Sequence, residues 1–427
     1  MAIGLSPRFD EKPRSHVRWV ICGLLFFATT VNYMDRQVLG ILKPMLERDL
    51  HWSEADYGWM VSAFQLAYAM MMPVAGRLLD LIGVRAGYAL AAILWSLASM
   101  SHALCRTSWQ FIAARFGLGL GEASNFPAAI KAVAEWFPEK ERALATGLLN
   151  SGSNMGAMLA PFLVPFFAVR FGWRSAFVAT GCLDLIWVAV WLGYFRKPAE
   201  HPKVSAGELA YIESGSAKEP TARIPYAGLL KRRQAWAFIA GKFMTDPVWW
   251  FYLFWVPGFL NRTYGLKLTA LGPPLIAIYL AADAGSIVGG WMASAFAKHG
   301  WSPNKARKVT MLLCALAATP VTALFAANSL WPAVALISVA AAAHQGWSAN
   351  LYTVVSDLFP RNAVGSVVGL GGLAGSVGGM LAAPMIGYWL DLSGDSYRPI
   401  FFIGGTAYLC ALAVIQLLIP RLKRVEA

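Results

Sequence analysis

The chain predicts an all-α integral membrane protein, with twelve transmembrane helices arranged as two pseudo-symmetric six-helix bundles. Composition is the first ground: of 427 residues, 57% are hydrophobic and only 14% charged, outside the balance of a soluble domain. Segment length is the second. A membrane crossing needs about 20 mainly apolar residues, and stretches of that kind fall at 18–40, 54–79, 86–104, 109–134, 143–168, 174–195, 236–262, 270–297, 307–327, 331–357, 364–391 and 398–420. The third ground is an internal repeat. A shift of 222 residues lays Glu135-Trp136-Phe137-Pro138 on Asp357-Leu358-Phe359-Pro360, Gly147 on Gly369, Gly156 on Gly378, and Met158-Leu159-Ala160 on Met380-Leu381-Ala382. Parallel halves related in this way place a binding site near the bilayer midplane between them.

These observations divide the chain into an N-terminal tail (1–17), a first bundle (18–195), a linker (196–233), a second bundle (236–420) and a short tail (421–427). The linker, Arg196 to Arg233, carries Glu200, Glu208, Glu213 and Glu219 among Lys197, Lys203, Lys218, Arg223 and Lys231-Arg232-Arg233. It reads as a solvated connector with a short helix around Gly207 to Ile212. Lys and Arg concentrate in the even-numbered loops and at both termini, which predicts that both ends are cytoplasmic. A net charge of +13 suits nucleic acid in principle, but the basic residues edge apolar segments and form no single patch. Nucleic-acid binding is therefore excluded. The five cysteines, Cys22, Cys105, Cys182, Cys314 and Cys410, are scattered in apolar stretches without paired spacing and read as reduced core residues. Arg8, Lys12, Arg14 and Arg18 ahead of Trp19 to Val31 mimic a signal peptide, but no small-residue cleavage site follows, so this is an uncleaved first span.

The functional signal lies in charges inside apolar segments. An ionised side chain at the bilayer centre costs about 2.5 to 3.5 kcal/mol on the lenient insertion scale, so such groups face the protein interior and handle ions or substrate. Asn32-Tyr33-Met34-Asp35-Arg36 puts an acid and a base side by side in span 1. Neighbours on a helix point about 100° apart, so the two have separate partners. Tyr33 and Arg36 share one stripe, read as substrate-facing with the guanidinium forking a carboxylate, while Asn32 and Asp35 share the next, read as proton-linked. A structural ion pair with another helix is the alternative. In span 4, Arg115 and Glu122 stand two turns apart on one face, with Gly117, Gly119 and Gly121 thinning the helix so that a neighbour can approach. Asp35, Arg115 and Glu122 form the expected proton-coupling group. A permanently paired network that only fixes helix packing is the competing reading.

The second half adds polar groups of its own. In span 7, Lys242, Asp246 and Trp249 share a face just before Pro247, which is expected to kink or unwind the helix. Lys242 either takes the second polar end of a substrate or snorkels to the interface. Trp250 and Tyr252 are either membrane-belt aromatics or, as their dense cluster favours, a face for stacking against a substrate ring. Span 10 is polar through His344, Gln345, Ser348, Asn350 and Tyr352, and the repeat lays His344 on Glu122. Gln345, Ser348 and Tyr352 share a stripe fit to hydrogen-bond a polyol. Span 2 offers Gln65, Tyr68 and Met72 on one face, with Tyr68 preferred as a contact, and span 5 offers Asn150, Ser153 and Asn154. The glycine row from Gly369 to Gly379 reads as close helix packing. No metal spacing among the six histidines, no nucleophile elbow and no phosphate loop competes, which argues against an enzyme.

After span 2 the chain reads Gly76-Arg77-Leu78-Leu79-Asp80-Leu81-Ile82-Gly83-Val84-Arg85. Gly76, Asp80, Gly83 and Arg85 resemble the conformational loop signature of the major facilitator superfamily. The span 1 run Asn32 to Arg36, the run Arg115 to Ala123, and Glu135-Trp136-Phe137-Pro138 are similar to its anion:cation symporter branch. Within that branch, Lys242 to Tyr252 and Ala343 to Tyr352 resemble the hexuronate transporters. The resemblance covers essentially the whole chain. It implies a symporter in a bacterial inner membrane that imports glucuronate, galacturonate or a similar sugar acid by alternating access. Such a carrier is driven by a proton gradient, with no cofactor, and is expected to be monomeric in the lipid bilayer. In related galactonate-type carriers a Gln stands where Ser153 is and an Asn where Gly372 is, so that sugar-acid specificity does not carry over. The residues alone indicate only a polar organic anion. A sodium-coupled symporter, an organophosphate/phosphate antiporter and a non-transporting sensor are the rival expectations.

Overall fold

The computed structural model describes residues 15–213, 226–327, 329–359 and 361–422. The tail 1–14, the middle of the linker at 214–225, residues 423–427 and the Asp80 side chain lie outside the described residues. The first half comprises α1 (Val17–Leu50), α2 (Glu54–Ser101), α3 (Ser108–Glu122), α4 (Asn125–Trp136), α5 (Glu139–Phe171) and α6 (Trp173–Tyr194). In the linker lie α7 (Ala206–Glu213), where the short helix was expected, and α8 (Tyr226–Leu230). The second half comprises α9 (Arg233–Tyr264), α10 (Gly272–Lys298), α11 (Pro303–Ala318), α12 (Leu330–Leu358), α13 (Arg361–Ser393) and α14 (Arg398–Leu418). A 3₁₀ turn, Thr319–Ala326, extends α11.

Eight described segments have the length and apolarity of a membrane crossing by composition alone. Those that fall short are the first part of α2, the pair α3 and α4, α9, and α12. Their polar residues dilute the signal, and together with α1 these helices carry much of the candidate site.

Local chemistry sets the helix ends and breaks. Ser53 and Asp56 form a capping box that starts α2, and Thr107 with Gln110 does the same for α3. Spans 2 and 3 run as one helical stretch whose sole non-helical residue is Gly83, at φ 79° and ψ 163°, a conformation that glycine reaches without Cβ strain. Span 4 is not continuous. Its helix breaks at Ala123-Ser124, directly after Glu122. Pro127 explains the position: its ring has no N–H to donate and clashes with the carbonyl four residues back, that of Ala123. Span 7, by contrast, stays helical through Pro247. The expected unwinding does not occur.

Glycine contacts bring backbones together. A Cβ on Gly119 would stand 2.5 Å from the Phe64 carbonyl oxygen, and one on Gly121 would stand 2.6 Å from the Trp95 nitrogen. Span 4 therefore packs directly on the α2 main chain, as its glycine spacing suggested. In α13, a Cβ on Gly375 would fall on the Asp246 carboxylate of α9, and one on Gly378 would stand 2.6 Å from the Phe243 carbonyl oxygen. Cys22, Cys105 and Cys314 are buried as expected, whereas Cys182 and Cys410 are exposed on outer helix faces, and all five are free.

The two halves meet along a seam at the ends remote from Val17 and Leu418. The Tyr57 hydroxyl donates to the Phe254 carbonyl at 2.8 Å, Gln37 Nε2 to the Tyr279 hydroxyl at 3.1 Å, and Ser62 Oγ to the Met380 carbonyl at 2.9 Å. Asp391 accepts from the Glu54 and Ala55 amides at 2.8 and 2.7 Å, capping α2 from the opposite half. Around these contacts, Lys43 pairs with Glu54 at 2.5 Å and Glu47 at 3.3 Å. Arg262 reaches Glu47 and Glu54, both at 2.8 Å, as well as Asp395.

At the other end, the linker holds α1. His16 gives α1 no side-chain cap. The buried Glu208 carboxylate of α7 takes over, accepting from the Val17 and Arg18 amides at 3.1 and 3.2 Å, from Ser15 Oγ at 2.6 Å and from Arg18 Nη1 at 3.0 Å. Burial works against its ionisation, but these hydrogen bonds outweigh it and hold the carboxyl below its usual range. Glu208→Gln is expected to lower stability by about 1 to 2 kcal/mol, read as a drop in the thermal unfolding midpoint in detergent. A depressed folded value means that the stabilisation is present above the unfolded carboxyl's titration and disappears as pH falls through the folded one. The difference between wild type and variant should therefore vanish in acid.

Candidate functional site

The site starts at α1, where the chain places Asn32, Tyr33, Asp35 and Arg36 on successive turns. Arg36 is 2% exposed, and its Nε donates to Glu122 Oε2 of α3 at 2.5 Å. Its Nη2 donates to Asn32 Oδ1 at 3.3 Å. The guanidinium lies over three rings: Tyr33 at 4.5 Å, Tyr68 at 5.0 Å and Phe64 at 5.4 Å. Tyr33, Arg36 and Tyr68 thus meet, as the stripe assignment expected. Asn32 belongs with Arg36 rather than with Asp35, because its amide reaches one full turn along the helix.

Asp35 looks the other way. Its Oδ1 accepts from Ser99 Oγ of α2 at 2.7 Å, and its carboxyl faces Thr180 and Asp184 of α6. The expected trio of Asp35, Arg115 and Glu122 is therefore not one hydrogen-bonded group. Glu122 is engaged by Arg36, and Arg115 influences Asp35 only through space.

Arg115 is fully buried, and none of its three guanidinium nitrogens has a hydrogen-bond partner among the described residues. It stacks between Phe64 of α2 at 4.7 Å and Phe254 of α9 at 5.7 Å, on the boundary between the halves. Other unpartnered polar atoms gather nearby. Gln65 has neither amide atom satisfied, and the Trp250 indole N–H is also free. Both residues border Gly379 of α13, and the Trp250 ring stacks on Phe254 at 5.9 Å. Buried polar groups normally find partners, so unsatisfied donors converging between two bundles mark where a polar ligand would sit.

The α9 and α12 residues form a second cluster. Lys242 Nζ pairs with Asp246 at 2.8 Å and donates to the Tyr352 hydroxyl at 3.1 Å. His344 stacks on Trp249 at 5.1 Å and its Nδ1 lies 2.8 Å from the Tyr408 hydroxyl. Gln345 and Ser348 remain partly exposed next to it. Asn350 belongs elsewhere: its Nδ2 donates to the Gly289 and Gly346 carbonyls, both at 2.9 Å, so it ties α10 to α12. In the loop signature, Arg85 Nη2 donates to the Leu192 carbonyl at 2.5 Å, and Gly83 forms the break described above. Sequence reasoning missed Asp184, a lone acid in an otherwise apolar α6. It also missed Asp283, partly exposed on α10 one turn from Tyr279. Acids in segments of such apolarity were the signal that could have found both.

Comparison with known proteins accords with this architecture. The chain is 31% identical over 415 residues to the hexuronate transporter of Escherichia coli K12, covering 96% of each chain. It is 36% identical over 287 residues to the galacturonate transporter of Dickeya chrysanthemi, covering 66% of this chain and 83% of that one. Among solved structures, an inward-facing, unoccupied bacterial homologue of the human lysosomal transporter Spinster superposes with a TM-score of 0.72 at 19% identity, covering 94% of this chain and 95% of that one. That likeness carries the fold alone. The family model of the Major Facilitator Superfamily matches residues 25–383 and 304–427. With its helical architecture and its relatives, the chain belongs to the major facilitator superfamily and is a membrane transporter rather than an enzyme.

Proposed function

We propose that this protein imports hexuronates, coupled to protons, by alternating access between its two six-helix halves across a bacterial inner membrane. The observation that carries the proposal is a pair of buried arginines, of which Arg115 stands at the boundary of the halves. Arg36 is matched by Glu122, whereas Arg115 has no hydrogen-bond partner. An unmatched guanidinium in a dry interior is costly, and a planar carboxylate that accepts two N–H bonds at once is the group that relieves it. Gln65 and the Trp250 N–H offer hydrogen bonds to hydroxyls, and aromatic faces at Trp250 and Phe254 suit the C–H side of a sugar ring. Relatives named as hexuronate and galacturonate transporters support the same substrate class.

In this reading, protonation of Glu122 frees Arg36, so that both arginines can take the substrate carboxylate. The loaded carrier then turns inward. Proton loss lets Glu122 recapture Arg36 and expel the anion. With both termini in the cytoplasm, as the distribution of Lys and Arg favours, the seam that joins the halves faces outward. The domain boundaries proposed for this cycle are 18–195 and 236–420, joined by the linker 196–233, with a single chain as the working unit.

Arg115→Ala is expected to weaken uronate binding by about 30-fold or more, the scale of removing one partner from a buried charged contact. A thermal-shift titration with galacturonate checks this, and equal stabilisation of wild type and variant would sink the carboxylate assignment. For coupling, Glu122→Gln in proteoliposomes is expected to keep substrate counterflow and lose accumulation driven by a pH gradient. Accumulation by the variant equal to wild type, or accumulation that follows a sodium gradient instead, would overturn proton coupling at Glu122. Phosphate counterflow without any pH dependence would point to an antiporter.

A further inference from the structure

The Asp35 carboxyl does not face the substrate path. It points from α1 toward α2 and α6, where Ser99 donates to its Oδ1 at 2.7 Å and Thr180 lies 3.4 Å from Ser99. On α6, one turn beyond Thr180, stands Asp184, whose carboxyl is within hydrogen-bonding reach of Asp35. Both acids are 1% exposed. The Oδ2 of each has no partner that could donate to it. The charged and titratable groups around the pair are few. Arg115 and Glu122 of α3 act through space, Tyr88 of α2 is close to Asp184, and Arg36 is held on another face of α1 by Glu122. The Trp95 indole lies beside Asp184 but outside hydrogen-bond geometry. No lysine or arginine bonds to Asp184 among the described residues.

Two ionised carboxylates in contact and away from water repel each other. A single proton placed between them turns the repulsion into a hydrogen bond. We infer that Asp35 and Asp184 form a carboxyl–carboxylate pair that binds one transported proton, in a compartment between α1, α2 and α6 separate from the arginine site. The balance is simple: the pair carries two negative charges when empty and one when a proton is shared between the two carboxyls, and no other bond changes. Ser99 and Thr180 supply hydroxyls that can rotate to accept or pass that proton. Asp35 and Arg36 are adjacent on one helix, so loading the pair alters the field at the arginine without any group crossing the substrate path. Asp184 is thereby a proton-binding residue that the relation to sugar-acid carriers does not itself name.

This inference rests on proton coupling, and the experiment separates the two. Wild type and Asp184→Asn are reconstituted, and each is assayed for galacturonate counterflow at equal pH and for accumulation driven by an inward proton gradient. The expected result is retained counterflow, showing a folded carrier, with gradient-driven accumulation lost in Asp184→Asn. If wild type itself shows no gradient-driven accumulation, the coupling proposal fails. If wild type accumulates and Asp184→Asn does so with the same pH profile, only the pair is wrong. A variant that fails even counterflow is replaced by infrared spectroscopy of the Glu122→Gln protein. There, a carboxylic-acid band that titrates and disappears on adding Asp35→Asn supports the pair, and its absence overturns it. Accumulation that follows a sodium gradient and is lost in Asp184→Asn would make the pair a sodium site and likewise overturn it.

Discussion

The contact between Arg36 and Glu122 constrains everything around it. Two opposite charges with almost no access to water must either stay together or be separated by something that takes the place of one of them. Holding them at 2.5 Å dictates the neighbourhood. Gly119 and Gly121 are needed because α3 can present Glu122 to α1 only by lying directly on the α2 backbone. The rings of Tyr33, Phe64 and Tyr68 surround the guanidinium with polarizable faces that tolerate a cation without neutralising it. After Glu122 the helical hydrogen bonding lapses where Pro127 has no N–H to donate, while Ala123 and Ser124 keep right-handed helical dihedrals, so the chain continues in nearly the same direction past the titratable group.

Asp35, Asp184, Arg36 and Arg115, all buried, divide between distinct surroundings. Arg115 looks toward Phe254 of α9, the direction from which a ligand would bridge to the other half, while Arg36 lies among Tyr33, Phe64 and Tyr68 of its own half. Asp35 looks toward α2 and α6, where it meets Asp184 and the Ser99 hydroxyl, with Thr180 beside them. A single helix, α1, therefore carries one polar residue toward each compartment. Its 100° step per residue makes that possible for neighbours in sequence.

The sequence made much of this legible, for identifiable reasons. Charges inside apolar runs stand out against composition, so Asp35, Arg36, Arg115 and Glu122 were found directly, and their helical spacing separated Asp35 from Arg36. Partner identity was not legible. Spacing gives the face on which a residue lies but not the rotation of the helix opposite, which is why Glu122 was grouped with Asp35 rather than Arg36. Asp184 escaped because it is the one acid in its own segment; its meaning comes from a helix distant in sequence. Asn350 looked like a substrate ligand in a polar stretch, yet its amide is used up by two main-chain carbonyls, a fate that only the packing of α10 against α12 decides. Eight described spans have the length and apolarity of a membrane crossing, whereas polar residues dilute that signal in the other four expected ones. The continuity of span 7 through Pro247 was not legible, since it depends on Gly378 lying against the carbonyl that proline leaves free.

The seam that joins the halves has two layers of different character. At its rim, Arg262 of the second half is 28% exposed where it pairs with Glu47 of the first, so that this attraction is open to screening by dissolved ions. Beneath it, a Cβ on Gly58 would stand 2.6 Å from the Ala383 carbonyl oxygen, and one on Gly387 would stand 2.3 Å from that of Glu54. This inner layer is main chain against main chain, fitted to less than the width of a methyl group. Ionic strength acts on the outer layer and leaves the inner one untouched, whereas a single added carbon does the reverse. The electrolyte on that side of the membrane can thus tune how readily the halves approach, while the final fit is a matter of volume.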